Sequence, residues 1–196
     1  EDVERICIFK STETFDQLRK NKLVKEDALL FINSIASVSL NDEDRERFHH
    51  YFSHIQSQIV VEVTEEENMS EEALIRKRET KGFSGMFALD DYGSGYNTEI
   101  NLLNLSPKYI KIDLTIVRNI DKDFDKQQLV SNIVEYAHQR DAYIIAEGIE
   151  TKEELLKVLE LGVDYLQGYY LSYPQSNPQE VSNESIRTIE NYWKKR

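Results

Sequence analysis

The sequence predicts an α/β fold of the TIM-type (β/α)-barrel class, and three observations lead to that prediction. Six short apolar runs recur along the 196 residues, and helix-patterned segments separate them. Each run ends in polar residues suited to metal or phosphate chemistry, as expected where parallel strands of a barrel present an active site. A complete eight-unit barrel takes about 250 residues. We therefore predict about six of eight strands, with the barrel incomplete at the N-terminus.

The predicted strands share one pattern, an apolar run followed at once by a polar side chain. In chain order they are 29–32 before Asn33, 59–61 before Glu62, 86–89 before Asp90 and Asp91, 109–110 before Lys111, 143–146 before Glu147, and 165–166 before Gln167. Side chains at the carboxyl ends of parallel strands meet at one edge of the sheet. We therefore expect these polar residues to share a site.

Helices are predicted where apolar residues recur at helical spacing. The first covers 3–21, although 6–9 alone also fits a strand, and a polar helix is predicted over 70–80. Further stripes lie in 130–137 and 153–161, and Gly162 is a plausible C-cap after the second. A final amphipathic helix is predicted at about 180–194, with four apolar side chains facing inward: Val181, Ile186, Ile189 and Trp193.

Asp90 and Asp91 are the most informative pair in the chain. Two adjacent carboxylates repel each other, and a divalent cation allows both to stay ionised. Gly93 and Gly95 would let the backbone turn tightly directly afterwards. A solvent-exposed Asp-Asp turn is the competing interpretation, and it would be equally probable if the pair stood alone.

The other candidates have structural alternatives that the residues by themselves leave open. Asn33 could cap a loop, and Glu62 begins an acidic run of the kind that is mostly solvated. Lys111 alternates with apolar neighbours, so a lysine on a strand surface is its default, and Gln167 is the least secure participant. The histidines show no spacing typical of metal ligands, and three of them are expected to be exposed: His49, His50 and His54.

Composition restricts the function classes further. A formal net charge of −12 argues against binding to polymeric nucleic acid, which requires neutralised phosphates. Cys7 is the single cysteine, which excludes an intramolecular disulfide and fits a reducing compartment, so we expect a cytoplasmic location. No apolar run reaches the roughly 20 residues of a membrane span, although a parent protein could still be attached to a membrane through another segment.

Six motifs in series carry a family resemblance. They are Phe31-Ile32-Asn33-Ser34, Glu62-Val63-Thr64-Glu65, Asp90-Asp91-Tyr92-Gly93-Ser94-Gly95-Tyr96, Ile110-Lys111-Ile112-Asp113, Ala146-Glu147-Gly148-Ile149-Glu150 and Gln167-Gly168-Tyr169. In order and spacing the chain resembles the EAL domain, the family of bacterial cyclic-di-GMP phosphodiesterases, over residues from about 3 to 175. We accordingly expect 1–196 to be a partial EAL domain followed by the final helix.

The resemblance implies two Mg²⁺ or Mn²⁺ ions that activate water against a phosphodiester of cyclic di-GMP and give linear pGpG. It implies Asn33, Glu62 and Asp90 as ligands of the first ion, and Asp90, Asp91 and Glu147 as ligands of the second. Lys111 would orient the water, and Glu147 would also assist as a general base. By the same resemblance Gln167 lines the site, Glu65 and Glu150 hold the ligands and loops in place, and homodimers form near the loop after Asp90 and Asp91.

One departure from the family pattern limits these expectations. The Glu-Ala-Leu strand, whose glutamate is a metal ligand in the family, is not identifiable here, and Glu72-Ala73-Leu74 spells the letters within a polar helical segment. We therefore expect impaired activity in this chain. The alternatives are a silent receptor for the dinucleotide, an interaction module, a remnant without activity, and an enolase-type barrel with a lysine base, although the last does not explain the adjacent Asp90 and Asp91.

Overall fold

The computed structural model describes residues 2–33, 40–64, 86–94, 98–175 and 179–195. The strands are β1 (Leu30–Asn33), β2 (Ile59–Thr64), β3 (Met86–Tyr92), β4 (Tyr109–Ile112), β5 (Tyr143–Ala146) and β6 (Tyr165–Leu166). The helices in the described ranges are α1 (Asp2–Lys20), α2 (Asp42–Phe52), α3 (Thr98–Leu105), α4 (Leu114–Val117), α5 (Phe124–His138), α6 (Lys152–Glu160) and α7 (Asn183–Lys194).

The strands follow one another in chain order in a six-stranded sheet, which confirms the predicted α/β class. β1 and β2 are parallel with Asn33 opposite Glu62, and β4 and β5 are parallel with Lys111 opposite Ile145. β6 continues the parallel arrangement beside β5. Four strands run further than their apolar residues predict. Asn33 lies inside β1, Glu62 lies inside β2, Asp90 and Asp91 lie inside β3, and Lys111 lies inside β4.

The chain divides into two compact units, and the first comprises 1–89 with 99–107. In it, α1 is helical throughout, so the strand interpretation of 6–9 is wrong. The buried core of this unit joins α1, β1, α2 and the start of β2 through eight apolar side chains: Ile8, Phe15, Ile32, Leu40, Phe48, Phe52, Ile55 and Ile59. Asn41 caps α2 by accepting a hydrogen bond from the backbone N–H of Asp44.

The second unit comprises 90–98 with 108–196. Its helix α5 buries the predicted stripe, made up of Val130, Ile133, Val134 and Ala137. Thr151 begins α6 in a capping box with Glu154, and the helix is followed by Gly162 at a φ of +88°. Both helices therefore form where the apolar spacing predicts them, and the capping box explains where α6 starts.

The predicted orientation of the final helix is wrong. α7 buries Ser185 and Thr188, whereas Ile186 is 40% exposed and Trp193 is 58% exposed. The buried face is polar, and on it the Ser185 hydroxyl donates to the carbonyl of Tyr170 at 2.6 Å. The apolar spacing alone does not indicate this contact.

Of two other predictions, the structure confirms one, and the other concerns residues that it does not describe. His49, His50 and His54 are exposed, as predicted. The predicted helix at 70–80 lies outside the described residues, and so does Glu72-Ala73-Leu74.

Candidate functional site

The second unit brings four predicted residues together at the carboxyl ends of neighbouring strands. Asp90 and Asp91 lie in the last part of β3, Lys111 lies in β4, and Glu147 directly follows β5. The backbone N–H of Glu147 donates to the carbonyl of Ile112 at 3.1 Å. This bond holds the Glu147 backbone beside the end of β4.

Lys111 lies between two carboxylates. Its ammonium nitrogen Nζ is 2.7 Å from Oδ1 of Asp90 and 2.9 Å from Oε1 of Glu147. All three side chains are largely buried, with 9%, 11% and 14% of their surfaces exposed for Lys111, Asp90 and Glu147. Side chains buried to this extent stay ionised only beside an opposite charge, because moving a charge out of water costs free energy that the ion pair must compensate. The strand-surface interpretation of Lys111 is therefore wrong.

Asp91 has an unusual backbone conformation for a residue with a side chain. Its φ is +56°, and its N–H donates to Oδ1 of Asp90 at 3.1 Å. Left-handed conformations of non-glycine residues cluster at functional sites, where the surrounding structure holds them in place. Gly93 follows with a φ of +97°, and a Cβ there would lie 2.1 Å from Cδ1 of Ile116. Gly93 therefore serves the predicted tight turn, whereas Gly95 lies outside the described residues.

The carboxylates form a group that could hold a metal ion. Asp90, Asp91 and Glu147 each offer one oxygen, and these three oxygens lie within 4.8 Å of one another. A set of carboxylate oxygens without sulfur or imidazole suits hard cations such as Mg²⁺, Mn²⁺ or Ca²⁺. The donor set thus fits a divalent cation, and its chemistry alone does not choose among these three.

The other two predicted metal ligands belong to the first unit. Asn33 ends β1 as an exposed residue, and it lies opposite Glu62 in the register of β1 and β2. Glu62 is only 7% exposed, so it is not one of the solvated charges of an acidic run. The structure therefore pairs these two residues across neighbouring strands.

The three residues predicted to line or support the site differ in their surroundings. Glu65 lies outside the described residues. Glu150 is paired with Arg118, whose guanidinium donates at 2.8 Å, and both side chains are about half exposed. Gln167 is exposed, and its backbone is held at both ends, because its N–H donates to Ala146 and its carbonyl accepts from Ile149.

Glu154 and Asp113 organise the loops next to these residues, and neither is among the predicted site residues. Glu154 is 3% exposed and accepts three backbone hydrogen bonds, from Asn119 at 2.8 Å and from Glu150 and Thr151 at 3.0 Å each. It thereby fixes the segment that follows Glu147. The sequence signal was present, because a threonine followed three residues later by a glutamate is the pattern of a capping box.

The pKa of Glu154 is lowered from the ordinary glutamate value. Burial acts in the opposite direction and would raise the pKa, but the backbone donors of Asn119, Glu150 and Thr151 stabilise the carboxylate more strongly. Asp113 has a related role, since its carboxylate caps α4 by accepting from the N–H of Thr115. Its own N–H donates to the carbonyl of Tyr92 at 3.2 Å, which joins the ends of β3 and β4.

A family model for the EAL domain matches residues 4–174. The chain belongs to the EAL domain family. Among curated relatives, cyclic di-GMP phosphodiesterase PdeF of Escherichia coli K12 is 33% identical over 120 residues, which are 60% of this chain and 16% of PdeF. Cyclic di-GMP phosphodiesterase PdeL of the same strain is 42% identical over 96 residues, which are 49% of this chain and 26% of PdeL. The chain thus spans a minor part of the length of these EAL relatives.

Solved structures support the same fold. BlrP1 of Klebsiella pneumoniae, in a complex with manganese and cyclic di-GMP, matches with a TM-score of 0.76 and 25% identity over 88% of this chain and 45% of its own. YkuI of Bacillus subtilis, a protein with an EAL domain in complex with cyclic di-GMP and calcium, has a TM-score of 0.77. At 21% identity, over 99% of this chain and 48% of its own, YkuI shows the fold alone.

Among the described residues, no helix combines the length and apolar character needed to cross a membrane.

Proposed function

We propose that residues 1–196 form part of an EAL phosphodiesterase domain that hydrolyses cyclic di-GMP to linear pGpG with two divalent cations, Mg²⁺ or Mn²⁺. The observation that carries the proposal is the buried contact of Lys111 with both Asp90 and Glu147, directly beside Asp91. Barrel enzymes place their active sites at the carboxyl ends of parallel strands, and a lysine there can stabilise negative charge that develops on a phosphoryl group.

Two overlapping sets of oxygen ligands would hold the cations. Asn33, Glu62 and Asp90 form the proposed first set, and Asp90, Asp91 and Glu147 form the second. The second set is supported by oxygens within 4.8 Å of one another, and BlrP1 supports the choice of cation because its complex contains manganese. Divalent cations in such a site supply Lewis-acid activation of water and neutralise charge on the phosphoryl group.

The reaction adds one water molecule across one phosphodiester bond. A bond forms between the water oxygen and phosphorus, and the bond from phosphorus to the ribose 3′ oxygen breaks, which leaves a 5′ phosphate on linear pGpG. In our proposal Glu147 accepts the proton that the water loses and later releases it to solvent, and the 3′ oxygen leaves as a hydroxyl after taking a proton from solvent water. The Lys111 ammonium orients the water and stabilises the negative charge that builds on the phosphoryl oxygens.

The remaining predicted residues have supporting roles in this proposal. Gln167 lines the site at the end of β6, and its fixed backbone supports that role. Glu150 steadies the segment after Glu147, which is supported by its ion pair with Arg118. Glu65 is proposed to steady the loop after β2.

We further propose that the chain acts in the cytoplasm, as a homodimer formed near the loop after Asp90 and Asp91. The single cysteine supports a reducing compartment. The net charge of −12 supports a small anionic substrate bound through cations rather than polymeric nucleic acid.

The test combines turnover and binding of cyclic di-GMP by the 196-residue chain, with and without Mn²⁺. We expect Mn²⁺-dependent release of pGpG at a reduced rate, because the Glu-Ala-Leu strand is not identifiable in this sequence. We also expect Glu147→Gln to abolish turnover while dinucleotide binding persists. Glu153→Gln, at an exposed position of α6, is the matched control and should retain turnover. Binding without turnover in the unaltered chain would indicate a receptor, and the absence of both, with no thermal shift from Mn²⁺, would contradict the proposal.

A further inference from the structure

The carboxylate of Glu154 joins two loops of the second unit. Its Oε1 accepts the backbone N–H of Asn119 at 2.8 Å, and its Oε2 accepts the N–H groups of Glu150 and Thr151 at 3.0 Å each. Asn119 lies just after α4, in the segment that follows β4, whereas Glu150 and Thr151 lie in the loop between β5 and α6. The two oxygens of one side chain therefore hold two different loops.

Each of these loops follows a strand whose end carries a proposed reacting group. Lys111 lies in β4, eight residues before Asn119. Glu147 directly follows β5 and stands three residues before Glu150. The Lys111 ammonium is 2.9 Å from Oε1 of Glu147. Short segments of backbone thus connect Glu154 to both members of this contact.

The competing explanation is that Glu154 only begins α6. In a capping box the glutamate side chain accepts the N–H of the N-cap residue, which here is Thr151. The contacts with the N–H groups of Asn119 and Glu150 are not part of that motif. Asn119 is 35 residues away in the chain, and its backbone is left-handed with a φ of +59°. Capping alone therefore does not account for the way in which Glu154 is bonded.

The hydrogen bonds of Glu154 are stronger than the ion pair that joins the same two loops. That pair consists of Arg118 and Glu150, which are 2.8 Å apart with side chains 53% and 44% exposed. Solvent screens a surface pair of this kind, so it contributes little. Glu154 is 3% exposed, and hydrogen bonds to a charged acceptor are roughly twice as strong as neutral ones. Glu154 therefore carries more of the connection than the ion pair does.

We propose that Glu154 is a positioning residue, which holds the Glu147 carboxylate at its distance from the Lys111 ammonium by tying the loop after β5 to the loop after β4. This role rests on the proposed function, in which Glu147 and Lys111 act on the attacking water. Reacting groups must be held within about 0.5 Å of their productive geometry, and a displacement of about 1 Å can lower a rate roughly a hundredfold. Glu154 acts on the reaction only through the backbone.

Three variants separate positioning from helix capping. Glu154→Ala removes all three acceptor contacts, and Glu154→Gln keeps one acceptor oxygen and hence the tie to one of the two loops. Thr151→Ala is the matched control, because it removes the hydroxyl that accepts the N–H of Glu154 at 3.2 Å but leaves the Glu154 carboxylate and its backbone donors in place. All three variants should lower the stability of the chain, so the comparison uses measurements on the folded state.

The first measurement is hydrogen exchange of the backbone amides, followed by NMR in the presence of a chelator. The N–H of Glu147 donates to the carbonyl of Ile112 at 3.1 Å, so its exchange reports the position of Glu147 without metal or substrate. We expect this exchange to be roughly tenfold faster in Glu154→Ala, as for the loss of one charge-assisted hydrogen bond. In Thr151→Ala it should be unchanged.

The second measurement is the affinity for Mn²⁺, because Glu147 belongs to the carboxylate group with Asp90 and Asp91. Replacing a residue that holds a metal ligand in place lowers metal affinity or activity about 10-fold to 100-fold. We expect Mn²⁺ to bind Glu154→Ala about tenfold more weakly, Glu154→Gln at an intermediate strength, and Thr151→Ala as tightly as the unaltered chain. At saturating Mn²⁺, kcat for cyclic di-GMP should fall in Glu154→Ala while KM changes little, since the reacting groups are displaced.

Two results would overturn the positioning role. One is unchanged exchange of the Glu147 N–H in both Glu154 variants, and the other is an equal effect of Glu154→Ala and Thr151→Ala on the affinity for Mn²⁺. Glu154→Gln decides the test if Glu154→Ala does not fold. If the unaltered chain releases no pGpG, the proposed function fails, whereas amide exchange in the Glu154 variants still tests the positioning of Glu147.

Discussion

Replacing Lys111 by methionine removes an ammonium that contacts both Asp90 and Glu147 while keeping the length of the side chain. The structure gives the size of the effect. At an effective dielectric constant of about 20, charges 2.7 Å and 2.9 Å apart attract by about 6 kcal/mol each. Removing these charges from water offsets much of that attraction, and breaking a buried ion pair costs about 3–5 kcal/mol in practice.

The two carboxylates that remain in Lys111→Met repel each other. Their ligand oxygens lie within 4.8 Å, which corresponds to a repulsion of about 3.5 kcal/mol or more at the same dielectric constant. A divalent cation and the Lys111 ammonium compensate the same charges, so they compete in the unaltered chain. We therefore expect Mn²⁺ to bind Lys111→Met more tightly and to restore part of the lost stability.

The assay is urea denaturation followed by circular dichroism, in chelator and in saturating Mn²⁺. We expect Lys111→Met to lose about 3–5 kcal/mol of unfolding free energy in chelator and clearly less in Mn²⁺. Lys122→Met is the control, because its 75% exposed side chain lies 3.8 Å from Asp121 and such surface pairs contribute about 0–1 kcal/mol.

The reasoning would be refuted by either of two results. One is a loss below about 1 kcal/mol in chelator, which is the range of a surface ion pair. The other is a stabilisation by Mn²⁺ that is no greater in Lys111→Met than in the unaltered chain.

Three further predictions concern the elements around the site. Gly168→Ala should lower the unfolding free energy by about 1–3 kcal/mol in urea denaturation, because a Cβ there would lie 2.2 Å from the carbonyl oxygen of Ile149. Glu154→Gln should flatten the acid limb of a stability-against-pH profile. The folded pKa of Glu154 is lowered, so its contribution is present above the unfolded pKa and is lost as the pH falls through the folded pKa. Ser185→Ala should cost about 1 kcal/mol in thermal denaturation, more than Ile186→Ala, because Ser185 is the buried residue of the pair.

Each of these has a control or a contradicting result. Gly162→Ala is matched to Gly168→Ala, since its nearest neighbour would be 3.5 Å away and only the φ of +88° would oppose it. If the two variants lost the same unfolding free energy, the backbone around Ile149 would be able to shift at little cost, which would contradict the prediction for Gly168→Ala. An unchanged acid limb in Glu154→Gln would contradict the role of its backbone hydrogen bonds, and a larger loss in Ile186→Ala would contradict the orientation of α7.

Much of this fold follows from local pattern. The strands form where apolar runs end in polar residues, and α5 buries the stripe that its spacing indicates. Local contacts also set where some elements begin or end. The capping box of Thr151 with Glu154 begins α6, and the turn at Gly93 follows the end of β3. Such features depend on neighbours within a few residues, so the sequence alone is sufficient to predict them.

Long-range contacts follow from neither spacing nor propensity. The Ser185 hydroxyl donates to the Tyr170 carbonyl on the buried face of α7, which the apolar pattern of the helix does not indicate. Glu150 was expected to support the metal ligands, and in the structure its partner is Arg118, which is 32 residues away in the chain. Both contacts join residues that are far apart in the sequence, so local spacing does not indicate them.

The sequence by itself determined the α/β class, the order of the strands along the chain and which polar residues stand at their ends, because period, turn residues and capping residues are local properties. Only the tertiary structure decided that Lys111 is buried between Asp90 and Glu147 rather than solvated on a strand surface. The physical reason is that the state of a charge depends on burial and on its nearest opposite charges. Both are set by residues 21 and 36 positions away, which the folded sheet brings to within 3 Å.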